Sequence, residues 1–129
     1  MTTIKIGNFE EVRTITVDMK PGIGIHLLGQ RDETVQNTLL RVITALQSAG
    51  ARIPGKKIVI TITGQTIKGQ PKEVDGHEES HDLPIAIGLL AESGQLSDNF
   101  SLGEFVASGE LTLDGYIRGT SHNIKELVK

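Results

Sequence analysis

Cysteine is absent from this chain, so disulfides and thiolate metal centres are excluded at the outset. Tryptophan is absent too, and the aromatic set is three Phe and one Tyr, so Leu, Ile and Val must supply the core. No apolar run approaches the roughly 20 residues that a membrane-spanning helix needs. The first residues, MTTIKIGNFEE, carry neither a basic start nor the apolar stretch of a secretory signal, and cytoplasmic residence is the expectation. Charge of one sign is also lacking. The net is −3, with acids and bases interleaved, which offers no footprint for nucleic-acid phosphates. No G-x-x-x-x-G-K-[ST] string occurs, which removes a Walker-type phosphate cradle and with it an ATPase site of the chain's own. What is there amounts to 129 residues, the size of one domain (1–129) able to bury a core unaided.

Period-2 patterns open the chain. Ile4 and Ile6 alternate with Lys5 and Gly7, and Val12, Thr14 and Thr16 alternate with Arg13, Ile15 and Val17. Lys20-Pro21-Gly22 is a turn, and Ile23, Ile25 and Leu27 suggest a third strand. Asp32 is placed to N-cap a helix over about 33–48, in which Val35, Leu39, Val42, Ile43 and Leu46 recur at helical spacing and Gly50 marks the stop. KIVITIT, residues 57–63, has β-branched side chains on both faces and reads as a central strand buried on both sides. Residues 64–80 read as a long loop, and a structureless stretch of that length inside a compact domain is often mobile or functional. Asp82 is a good N-cap, Pro84 suits a first turn, and the apolar residues up to about Glu92 make a helix buried nearly all round. Phe105–Ala107 reads as a strand, and Asp114-Gly115 as a two-residue hairpin turn. Ser121 or Asn123 is placed to cap a last helix. Strands with interspersed helices predict an α+β, two-layer fold, a mixed sheet with helices on one face.

Four strings carry a resemblance. VDMKPGIGIHLLGQRDET (17–34), the helix and strand of 40–62, DLPIAIGLL (82–90) and GELTLDGYIR (109–118) follow one another with the order and spacing of a known domain. They resemble the N-terminal Lon-protease-like domain of the ComM, or magnesium-chelatase-related (ChlI-like), AAA+ ATPase family. The match runs through most of residues 12–118. It departs from the family at Gln30, where Pro is usual, and after Arg118, where Pro and a Gly-rich turn are usual. The resemblance implies the ribosomal protein S five domain-two-like (Lon-like) fold. That superfamily hosts peptidases, kinases and binding modules, so the fold alone assigns no activity.

A Lon protease pairs a nucleophilic Ser at the start of the buried helix with a Lys acting as general base. Superposing the helix starts puts Asp82 at the Ser position, with Ser80 two residues earlier. Superposing the Asp-Gly turns puts Ile124 at the Lys position, with Lys125 one residue on, about 100° away on a helix. The dyad region Ser80, Asp82, Ile124 and Lys125 is thus degenerate, and no catalytic residue is assigned. HEESH, His77–His81, matches the zinc-peptidase pattern H-E-x-x-H, whose chemistry requires a helix through both imidazoles. Asp75-Gly76 before it and Pro84 after it place it in a loop. His77 and His81 are weak metal candidates, with Glu104 or His122 as a third ligand; no metal and no cofactor are expected. Lys56, Lys57, Lys68 and Lys72 read as a solvated rim, a phosphate groove being the sharper alternative.

The expectation is therefore a non-catalytic accessory domain that supports assembly or substrate engagement in DNA processing. Its partners are an AAA+ motor domain, in cis or in trans, and further copies of the chain, with no direct nucleic-acid or membrane contact. A Lon-like Ser/Lys peptidase using Ser80 and Lys125 is one alternative, and a zinc hydrolase through HEESH another. Both an excised piece of a longer protein and a stand-alone remnant fit the sequence.

Overall fold

The computed structural model describes residues 1–7, 11–66, 71–72, 80–100 and 108–129. The elements are β1 (Thr2–Gly7), β2 (Glu11–Lys20), β3 (Ile25–Leu28), α1 (Asp32–Ser48), β4 (Lys57–Thr66), β5 (Pro71–Lys72) and α2 (Asp82–Glu92), closed by a 3-10 turn at Ile124–Leu127. The sheet runs β1-β2-β4-β3, with β5 paired to β4. β3 and β4 are parallel, joined through α1; the other pairings are antiparallel. The fold is thus α+β, with two layers and a mixed sheet.

Register explains why the helices share one face. Ile4, Ile15 and Ile62 stand opposite one another across β1, β2 and β4. Val17, Ile60 and Leu27 form a second row, and Met19, Ile58 and Ile25 a third. These residues pack with Val42, Ala45 and Leu46 of α1 and with the apolar residues of α2 in one core. The first two rows are buried throughout, and in the third Ile58 is buried while Met19 and Ile25 are half-buried; each fully buried residue contributes about 1.5–3 kcal/mol. α2 lies over β1 and β2 and beside α1.

β4 differs from the expected two-sided strand. Ile58, Ile60 and Ile62 are buried, Val59 and Thr61 are half-buried, and Thr63 is exposed. Threonine and valine have high strand propensity whether or not they are covered, so their presence on both faces did not signal two-sided burial. The expected loop 64–80 also begins later. β4 continues to Thr66, and Pro71–Lys72 pair back onto Gly64 and Gln65. The remainder of that stretch, and the strand expected at Phe105–Ala107, lie outside the described residues.

One helix start and one turn also differ from expectation. Arg31, not Asp32, occupies the N-cap of α1, without a side-chain capping bond. Asp32 and Glu33 sit in the first turn, where their charge favours the helix dipole. The Asp-Gly turn is also longer than expected. Leu111 bridges Ile117, and the Thr112 N–H donates to the Tyr116 carbonyl, so Leu113, Asp114 and Gly115 form a three-residue loop. Gly115, at φ 92, is the positive-φ residue that such a loop places after a turn.

Gly88 is the contact that lets α2 approach the sheet. A Cβ there would lie 2.7 Å from Val17 Cγ2. Gly88→Ala is expected to lose about 1–3 kcal/mol through overpacking, read as a lower urea midpoint at unchanged slope. Val17→Ala removes the obstructing methyl, so the double variant should lose less than the sum of the singles.

Candidate functional site

Among the described residues the start of α2 places the buried charge of Asp82 in a largely apolar interior. His81 is its N-cap and makes no side-chain capping bond. Asp82, expected to be that cap, is instead the first helical residue and is 0% exposed. Its carboxylate turns away from the helix end. Arg41 of α1 donates to it twice, Nε to Oδ2 at 2.6 Å and a terminal nitrogen to Oδ1 at 3.1 Å. The Leu111 N–H donates to Oδ2 at 3.0 Å. A bidentate, charge-assisted pair is about twice as strong as a neutral bond, so it wins the carboxylate over the capping position.

Around this pair the chain is stitched together. Leu83 N–H donates to the Gly109 carbonyl at 3.0 Å, and Gly109 N–H to the Ser80 carbonyl at 3.3 Å. Ser80 Oγ accepts from the Asp82 N–H at 3.2 Å. Arg41 also approaches Glu110 Oε1 at 3.6 Å, and Glu110 Oε2 binds Arg118 Nε at 2.7 Å. Acid and base thus alternate from buried Asp82 through Arg41 and Glu110 to Arg118 at the surface. The hydrogen bond to Asp82 chiefly raises the Arg41 pKa above its ordinary value. Burial opposes that shift, and the charges of Asp82 and Glu110 add to it.

Thr38 and Gln30 extend the network. Thr38 is 1% exposed, and its hydroxyl accepts from Gln30 Nε2 at 3.0 Å. On the other side of α2's start, Arg13 reaches His81 Nε2 at 3.3 Å. Arg13 shares the core face of β2 with Ile15 and Val17 and stands opposite Gly64.

The remaining positions from the Lon resemblance are distributed as follows. Ile124 is fully buried, while Lys125 is exposed on the closing 3-10 turn. Asn123 caps that turn in a capping box with Glu126. Among the described residues no hydrogen bond joins Ser80 to Lys125. Of the HEESH pair, His77 lies outside the described residues, and so does Glu104. His81 is 2% exposed and precedes the helix rather than lying within it. His122 is exposed and approaches Glu126 at 3.5 Å. Among the described residues no three His, Asp or Glu side chains gather as a metal site, and no helix is long and apolar enough to cross a membrane.

Arg41 is the residue that the sequence reading passed over. Two signals pointed to it. A lone acid inside an apolar helix requires a cation, and Arg41 shares the inward stripe of α1 with Thr38 and Ala45 at i, i+3 and i+7.

A two-layer α+β domain with a charge pair at the mouth of its buried helix is the class these features define. The profile of the family described as subunit ChlI of Mg-chelatase matches residues 15–129, and the chain belongs to that family. Over 107 residues it is 36% identical to the uncharacterized protein YifB of Escherichia coli (strain K12), a match covering 82% of the chain and 20% of the relative. It is 36% identical over 107 residues to the competence protein ComM of Haemophilus influenzae, covering 82% of the chain and 19% of that relative. The chain therefore spans about a fifth of the length of these relatives.

Proposed function

We propose that the chain is a non-catalytic accessory domain of a cytoplasmic, ComM-type, magnesium-chelatase-related AAA+ protein, supporting assembly or substrate engagement in DNA processing. The observation that carries this reading is the state of Asp82. It stands where the resemblance places a peptidase's nucleophilic serine, and both its oxygens are occupied by Arg41 and Leu111. A carboxylate held in this way serves to dock α2 against α1 and the 108–111 segment. Ser80 spends its hydroxyl on the helix start, and Lys125 faces outward. The partners in this reading are an AAA+ motor domain, in cis or in trans, and further copies of the chain.

The test is a chimera in which this chain replaces the matching segment of Haemophilus influenzae ComM. Sedimentation velocity should show the chimera assembling as ComM does, and ComM lacking the segment assembling less well. A chimera no better than the deletion would remove the assembly role. Cleavage of fluorescent casein by the 129-residue chain, abolished in Ser80→Ala, would overturn the non-catalytic part.

A further inference from the structure

We propose that the tip of the turn between β2 and β3, with Ile23 above a base of Lys20, Lys56 and Lys57, is the surface through which this domain docks on the rest of a ComM-type protein, entering an apolar socket rimmed by carboxylates. The inference rests on the accessory-domain reading above and names its contact face.

Ile23 is 86% exposed, more than the other large apolar side chains that reach the surface among the described residues. Single exposed aliphatics are ordinary, so exposure alone would carry nothing. Here the residue is presented by its backbone. Gly22 and Gly24 flank it at φ 135 and φ 100, conformations that other residues rarely adopt. The turn is also backed. A Cβ on Gly22 would lie 3.1 Å from Lys57 Cβ, and one on Gly24 would lie 3.3 Å from the His26 ring. The tip therefore rests on the start of β4 and holds its isoleucine outward.

The charges beneath it are arranged at a cost. Lys20 and Lys57 are direct cross-strand partners, an arrangement of like charges that destabilises a sheet. Lys56 is exposed beside them. Among the described residues Asp18 is the carboxylate paired with this group, 3.4 Å from Lys20 Nζ, which leaves positive charge in excess there. A partner bringing carboxylates to the rim and an apolar socket to the centre would relieve that repulsion and take Ile23 out of water. This is the usual anatomy of an interface anchor with a polar surround.

The hairpin at 110–118 is the rival surface, with Leu113 and Tyr116 exposed by 52% and 43%. There Glu110 pairs with Arg41 and Arg118, which leaves the single carboxylate of Asp114, itself accepting from the Thr112 hydroxyl, against the three lysines at the β2–β3 turn.

The experiment is hydrogen exchange on the ComM chimera and on the isolated chain. Amides at 22–24 should exchange at least tenfold more slowly in the chimera, and raised salt should shrink that difference. Ile23→Asp, and separately the pair Lys20→Glu with Lys57→Glu, should abolish the protection. Leu113→Asp should leave it intact. Unfolding midpoints of the isolated variants should match the parent chain, which separates lost docking from lost folding. A chimera that assembles without protection at 22–24, or keeps it in Ile23→Asp, overturns this surface and leaves the accessory reading standing. A chimera that fails to assemble overturns both.

Discussion

Gly29→Ala is expected to cost about 4–5 kcal/mol, a large fraction of the roughly 5–15 kcal/mol that holds a domain of this kind folded. Two effects add. Gly29 has φ 89, where a side chain is strained. The larger effect is a collision, because a Cβ would lie 1.9 Å from the Ile62 carbonyl oxygen and 2.9 Å from its carbon. Those atoms belong to the backbone of β4 at the centre of the sheet, so relief requires prising the end of β3 from its neighbour. Gly50→Ala isolates the strain alone: φ is 88, but nothing lies within 4 Å of the added carbon. It should lose about 1–3 kcal/mol, the range for a non-glycine residue held in that region. Gly55→Ala, at ordinary φ in open space, should lose nothing measurable. Urea unfolding of the three variants gives the ranking. Equal losses at Gly29 and Gly50 would show that the collision with Ile62 does not exist.

Arg41→Met is expected to lose about 3–5 kcal/mol, because it leaves a buried carboxylate without its cation. Asp82 is 0% exposed, and among the described residues its carboxylate would keep only the Leu111 N–H as a donor. Asp82→Asn should lose less, about 1–3 kcal/mol. The Asn oxygen can still accept from Leu111, and the Arg41 side chain, 29% exposed, can turn toward Glu110 and water. The double variant Arg41→Gln with Asp82→Asn should recover most of the Arg41→Met loss, since neither charge is then stranded. Urea midpoints test the order, and an Asp82→Asn loss exceeding that of Arg41→Met would refute it. The pH sign follows from the raised Arg41 pKa. Stability from a cation of raised pKa is fully present below its unfolded value and is lost only as pH rises through the folded one. For arginine that window lies beyond the alkaline limit of ordinary measurements, so its contribution should be flat from neutral to mildly alkaline pH.

The candidate site was legible in part. DLPIAIGLL announced a helix buried all round, and the lone acid at its head marked the polar point in that burial. The same aspartate was misread as a cap because capping is a local rule, satisfied within a few residues. Its actual partner is 41 residues away. Arg13 and His81 meet across 68 residues, and neither residue's neighbours in the chain signal the other. The turn at Asp114-Gly115 was read from its residue types, while its three-residue length depended on the bridge between Leu111 and Ile117.

What the sequence determined by itself is therefore everything with a short period. Alternating β-branched residues set the strands, the spacing of Val42 and Leu46 set the inward side of α1, and the absence of cysteine set the chemistry of the core. Tertiary structure alone decided which sheet face is covered, which cation neutralises Asp82, and how closely β3 and α2 approach their neighbours at Gly29 and Gly88. The physical reason is range. Propensity and periodicity act over one or two turns, whereas desolvation and close contact depend on atoms brought together only when the whole chain has packed.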